Sequence, residues 1–239
     1  FGDTYPFAPL NCNYECTYVT QIQENGDWGW TEKNAYSGNT AYSTGESIDY
    51  HDGMLYIAGG CHGFSQHTHI SAANTQCYQG TGSNTAWVSG NSYDVMVLAI
   101  NTTGIWQWSS IAEGNTNDIA IGISVDSNGM INIVGWSSSD VTTFGSTTTS
   151  GSGVNSGYVT FISQLDNTGN WQWAHSTNGY VGFESSIINT LGDNIYAIGN
   201  WNSVSSHNYV EFNGQRLTAD YSSGAQTYLL QTNNNSTVN

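Results

Sequence analysis

Basic residues are almost missing from this chain: of 239 residues, only Lys33 and Arg216 carry a fixed positive charge. Against 18 Asp and Glu they leave a formal net charge of −16. Charged residues nevertheless make up only 8% of the chain, so the imbalance is a loss of cations and not an excess of carboxylates. Two cations cannot neutralise a phosphate backbone, which excludes nucleic-acid binding. They offer no more to an anionic lipid surface. No run of about 18 apolar residues exists, so no membrane span is expected. Only two prolines interrupt the chain, and no segment keeps a 3.6-residue apolar period, so the expected secondary structure is β throughout. There is no initiating Met and no basic-then-apolar leader, so the chain reads as a processed product or a fragment.

What is present is a repeat, and self-similarity at a fixed period indicates stacked units. Trp106-Gln107-Trp108 returns as Trp171-Gln172-Trp173, and Trp28-Gly29-Trp30 is a degenerate third copy. A second apolar run ending in glycine also recurs, at Met54–Gly59, Met130–Gly135 and Asn194–Gly199. Turns such as Asp126-Ser127-Asn128-Gly129 and Asp166-Asn167-Thr168-Gly169 join apolar runs, and tight hairpins of this kind need a residue at positive φ. Each unit therefore reads as four short antiparallel strands. The expected fold is all-β, one domain over 1–239 in units of roughly 1–46, 47–117, 118–182 and 183–239. The extra length of the second unit is assigned to an insertion loop at 61–77.

Leu165-Asp166-Asn167-Thr168-Gly169-Asn170-Trp171 and Ala99–Trp106 resemble the tryptophan-docking motif of quinoprotein-like propellers. The whole unit, with Phe144-Gly145 and the Asp126–Gly129 turn, is similar to the β-propeller repeats of bacterial and archaeal cell-surface proteins. The resemblance implies a β-propeller of repeated four-stranded antiparallel blades, about three blades' worth here, and an extracellular address. It implies that Trp28, Trp30, Trp106, Trp108, Trp171 and Trp173 dock blade against blade, with the first strand of each blade innermost and the Trp-bearing strand outermost. It implies no defined activity. Phe1-Gly2, Phe144-Gly145 and Phe212-Asn213-Gly214 fall in register, so the chain is expected to start and stop inside units. Either it is part of a longer polypeptide, or subunits complete one another by strand exchange.

Four cysteines, Cys12, Cys16, Cys61 and Cys77, allow three pairings, of which Cys12–Cys16 with Cys61–Cys77 closes two local loops. Disulfides suit an oxidising, extracellular compartment. A surface rich in Ser, Thr, Asn, Gly and Tyr agrees, since it stays hydrated without offering trypsin-like cleavage sites. Asn101, Asn234 and Asn235 match the N-glycosylation acceptor pattern, which chance also produces in so Asn/Ser/Thr-rich a chain.

The candidate chemistry is sparse. His62, His67 and His69 form a candidate transition-metal site beside Cys61, set against a plain recognition or packing loop. Glu46, Asp118 and Glu184 recur near the start of the first strand, where a propeller would gather them at one channel mouth for a cation or a sugar. Asp126, Asp166 and Asp193 are Ca²⁺ candidates by oxygen chemistry, although turn formation alone explains them. No Gly-x-Ser-x-Gly elbow occurs, and the basic residues and adjacent cysteines that quinone catalysis would use are missing. The expected function is thus a non-catalytic extracellular scaffold or adhesive element whose partners are other protein chains. The alternative is a carbohydrate-binding or carbohydrate-cleaving propeller.

Overall fold

The recurring apolar runs all become strands in the computed structural model of the protein. It describes residues 16–34, 41–63, 75–76, 87–88, 92–151, 158–178, 187–203, 209–218 and 224–233. The first hairpin is β1 (Thr17–Ile22) and β2 (Trp28–Asn34). A full unit follows as β3 (Ala41–His51), β4 (Met54–Gly63), β5 (Thr75–Gln76), β6 (Trp87–Val88), β7 (Asp94–Asn101) and β8 (Trp106–Ala112). The next unit repeats this plan as β9 (Asp118–Val125), β10 (Ile131–Ser137), β11 (Val141–Phe144), β12 (Thr147–Ser150), β13 (Val159–Leu165) and β14 (Trp171–Asn178). The last comprises β15 (Ile187–Leu191), β16 (Asn194–Ser203), β17 (Tyr209–Phe212), β18 (Gln215–Thr218) and β19 (Gly224–Asn233). The chain is all-β, every pairing is antiparallel, and no helix occurs among the described residues.

Strand order in a complete unit is sequential, β3-β4-β7-β8 and β9-β10-β13-β14. A small hairpin, β5–β6, β11–β12 or β17–β18, sits between the second and third strands of each unit. This corrects the expected insertion at 61–77. Cys61 and His62 are residues of β4, paired with Ser43 and Tyr42, and the extra length follows Gly63. Likewise β3 begins at Ala41, so the unit boundary expected after residue 46 falls inside a strand. Alternation cannot reveal such strand extensions, because Cys61-His62-Gly63 carries no apolar pattern.

The four sheets stack in chain order, and each pair of neighbours encloses an apolar core. Val19 and Trp30 meet Ile57, Met96, Leu98 and Ile100 in the first core. Val97, Ala99 and Trp108 meet Ile133, Phe161 and Leu165 in the second. Val134 and Ile162 meet Ile188, Ile195 and Ala197 in the third. Burial on both faces explains why β7 reads as a continuous apolar run and not as alternation: odd residues of β7 face one core and even residues the other. First strands of consecutive units, β3, β9 and β15, lie side by side.

Two of the small hairpins, β11–β12 and β17–β18, clasp the preceding sheet. β17 pairs with β14 through Thr177 and Phe212, and Thr143 of β11 bridges to Glu113 just after β8. Phe144, fully buried, packs on Phe161 and on the edge of Trp171, with ring centroids at 5.1 and 5.0 Å. The Phe-Gly signature thus marks a hinge pin between units. Replacing Phe161 with Ala should cost about 3–5 kcal/mol of stability by transfer loss and cavity formation. Urea denaturation measures this, with the exposed Leu217→Ala expected within about 0.5 kcal/mol of wild type.

Candidate functional site

The repeated tryptophans alternate because residues two apart on a strand share a face while the Trp-x-Trp strands bulge between them. The second indole of each of the first two pairs reaches forward. Trp30 Nε1 donates to the carbonyl of Thr102 at 2.8 Å, and Trp108 Nε1 donates to that of Asn167 at 3.1 Å. Both acceptors are the second residue of a glycine turn, Asn101–Gly104 or Asp166–Gly169. The ring lies over that glycine: a Cβ added to Gly104 would sit 2.9 Å from the Trp30 ring, and one on Gly169 would sit 2.8 Å from Trp108. Their φ values of 83° and 86° already favour glycine. Turn geometry and indole contact therefore demand the same residue.

The first indole of a pair reaches backward. Trp171 Nε1 donates to the Ile111 carbonyl of the preceding sheet at 3.2 Å, and Trp106 is buried in the core it shares with β1. Trp28, its counterpart in β2, is half-buried. Trp173 packs into the third core but directs its N–H to Gln164 Oε1 of its own sheet at 3.0 Å. The reason is the cross-strand neighbour: Gln164 stands opposite Trp173, whereas Ala99, with no side-chain acceptor, stands opposite Trp108.

The turn residues spend their oxygens locally. Asp166 Oδ1 accepts the N–H groups of Thr168 and Asn170 at 2.9 and 3.0 Å, which hold its carboxyl below the usual range against the opposing effect of burial. Asp126 Oδ1 does the same for Asn128 and Met130, and Asn101 Oδ1 for Thr103 and Ile105. These are Asx turns. Asp193 lies exposed in the β15–β16 turn.

The expected carboxylate ring is not assembled by any described contact. Glu46 lies exposed beside the bulge of β3. Asp118 is fully buried, with Oδ2 accepting from Ser139 Oγ at 2.7 Å and Oδ1 from Thr142 Oγ1 at 3.4 Å. Burial raises its pKa although hydroxyls from Ser137, Ser139 and Thr142 oppose the shift. Glu184 lies outside the described residues, as do Cys12, Cys77, His67, His69, Asn234 and Asn235. His62 is stacked on Tyr42 at 4.3 Å and meets the edge of Tyr93 at 4.4 Å, an aromatic sandwich on β4. No cluster of three metal-ligating side chains occurs among the described residues. Cys16 and Cys61 are both disulfide-bonded.

One carboxylate was not singled out from the sequence. Asp94 opens β7 and is buried. Its Oδ1 accepts the Gly114 N–H at 3.0 Å, while Oδ2 has no hydrogen-bond donor among the described residues. Burial, reinforced by Asp118 and Glu113 and opposed by Gly114, pushes its pKa up to about 7. A carboxylate directly before six apolar residues was the available signal. No family model matches the chain, and no curated protein does.

Two measurements follow from this geometry. Gly26→Ala and Gly169→Ala impose the same positive-φ strain, but only the second meets an indole. Gly169→Ala should therefore be the more destabilising by about 1–3 kcal/mol in urea titrations, the range for overpacking. The Asp94 carboxyl binds its proton more tightly folded than unfolded. Its contribution is complete below about pH 4 and is lost as pH rises through about 7. Asp94→Asn should gain stability relative to wild type between pH 4.5 and 7.5, by a few kcal/mol at most at 1.36 kcal/mol per pKa unit.

Proposed function

We propose that this protein is an extracellular, non-catalytic scaffold: a β-propeller-type array of blades that presents a stiff polar surface in a cell-surface or filamentous assembly. The observation that carries this reading is the use made of the aromatic residues. Trp30, Trp108 and Trp171 each spend ring and N–H on a neighbouring sheet, where a sugar platform would present them to solvent. Sequential four-stranded sheets, side-by-side first strands and indole-on-glycine docking are the features a row of propeller blades requires. The low charge and scarcity of cations suit a surface that stays hydrated outside the cell. The disulfide-bonded cysteines agree with an oxidising compartment, and the local pairing Cys12–Cys16 with Cys61–Cys77 belongs to this proposal.

A carbohydrate-binding propeller is the competing outcome of the test. Antibody raised against the folded protein should label intact producing cells as strongly as permeabilised ones. The same purified protein should give no hit on a glycan array and release no reducing ends from polysaccharides. Label that appears only after permeabilisation removes the extracellular scaffold. A glycan bound by wild type and lost in Glu46→Gln transfers the function to sugar recognition.

A further inference from the structure

The stack leaves two apolar faces uncovered at its opposite ends, and they are the two halves of the interface that its sheets make internally. Register identifies the equivalent positions. Ile22, Ile100 and Leu165 stand opposite Trp28, Trp106 and Trp171, the first indole of each pair. Four residues earlier stand Tyr18, Met96 and Phe161. In the second and third sheets these backward-facing residues are all 0% exposed. In the first sheet Tyr18 is 65% and Ile22 62% exposed.

The other end shows the reverse. Gly59, Gly135 and Gly199 pair with Met96, Phe161 and Tyr228 and so align the units. Beside them, Ala58 and Val97 in one sheet and Val134 and Ile162 in the next face forward and are at most 1% exposed. Their counterparts Ile198 and Leu229 are 43% and 62% exposed.

The first sheet also keeps the backbone of an indole receptor. In the turn Gln23–Asp27, Gly26 N–H bonds to Gln23 O and Gln23 N–H to Asp27 O. The same two bonds form the Asn101–Gly104 and Asp166–Gly169 turns. Gly26 has φ 86° like Gly169, yet nothing lies within 4 Å of where its Cβ would be. The Glu24 carbonyl occupies the place of the Thr102 and Asn167 acceptors.

We infer that the face formed by Tyr18, Ile22 and the Gly26 turn docks the Ile198–Leu229 face of a second copy of this chain, so that the stack continues head to tail from one copy to the next. This deepens the scaffold reading, and rests on it, by naming the partner. A second copy is the occupant because each exposed face presents the residue classes that bury the other in the internal interfaces. The contact is heterologous, so closure gives a ring and non-closure a filament. A charge of −16 per chain repels copies at long range, so association strengthens as salt shortens the Debye length.

The test is sedimentation velocity of the full chain at 0.15 M and higher salt, for wild type, Ile22→Glu, Leu229→Glu and an equal mixture of the two variants. Both residues are exposed, so each variant should keep the wild-type circular dichroism spectrum and thermal midpoint. Wild type should assemble beyond dimers in a concentration-dependent way, and more at high salt. Each variant alone should be monomeric, since one carries only tails and the other only heads. Their mixture should form dimers and nothing larger. A wild type that stays monomeric throughout, or a single variant that assembles like wild type, overturns the inference. Neither result alters surface labelling or glycan binding, so the scaffold reading stands or falls separately.

Discussion

An indole lying flat on a glycine turn of the next sheet is the contact on which the rest of the stack depends. Trp30 on Gly104 and Trp108 on Gly169 each combine a hydrogen bond to a turn carbonyl with apolar contact. The missing Cβ decides both distances. An alanine there would push the ring away by the better part of an ångström, and every side chain in the core beneath would lose contact. Dispersion falls steeply with such gaps, so one methyl would be felt by Val97, Ile133 and Leu165 alike. The same glycine supplies the positive φ that turns the third strand into the fourth. Hairpin and interface therefore share one residue, and neither can drift without the other.

The scarcity of cations governs the polar interior. A buried carboxylate is normally paired with Lys or Arg, and here the one ion pair among the described residues is Arg216–Glu211, with Arg216 also over the Tyr209 ring. Asp118 is held instead by hydroxyls, and Asp94 by a single N–H. Serine and threonine hydroxyls solvate a carboxylate without contributing charge, so desolvation wins and the pKa of both acids rises. Asn132 and Gln164 solve the problem with neutral amides: Gln164 Nε2 donates to Asn132 Oδ1 while its Oε1 receives the Trp173 N–H. A low-charge sequence thus builds its buried networks from hydroxyls and amides. The consequence is a stability that responds to pH through a few buried acids and little to salt.

Much of the architecture was legible because it is written in punctuation. Glycine turns, Trp-x-Trp pairs and apolar runs ending in glycine are local signals, and they made the all-β class and the sequential antiparallel hairpins legible. Features set by neighbours across the sheet were not legible. Trp173 carries the same pattern as Trp108, yet Gln164 opposite it redirects its N–H. His62 reads as a ligand only with His67 and His69, whereas its ring contacts with Tyr42 and Tyr93 follow from the pairing of β4 with β3 and β7, which no local pattern announces. Asp118 and Glu46 read as equivalent acids, but Asp118 pairs with Ser137 as Ser43 pairs with Cys61, whereas Glu46 is the residue that the β3 bulge leaves unpaired, so one is buried and the other exposed. Asp94 escaped notice because its backbone donor, the Gly114 N–H, comes from the β8–β9 connection, 20 residues further along the chain.

A stack of this kind is close to one-dimensional: stability is the sum of each sheet's own pairing and of its contacts with two neighbours. Terminal sheets have one neighbour and fewer strands, here two in the first and three in the last among the described residues. They forgo roughly half of the interfacial burial that the middle sheets obtain. Tyr18, Ile22, Ile198 and Leu229 nonetheless keep apolar side chains, although polar residues at these sites would cap the stack and cost nothing internally. Capping repeats normally carry a polar outer face for solubility. Retaining the interface character at both ends leaves apolar surface in water, a cost that the proposed docking of the two faces would remove.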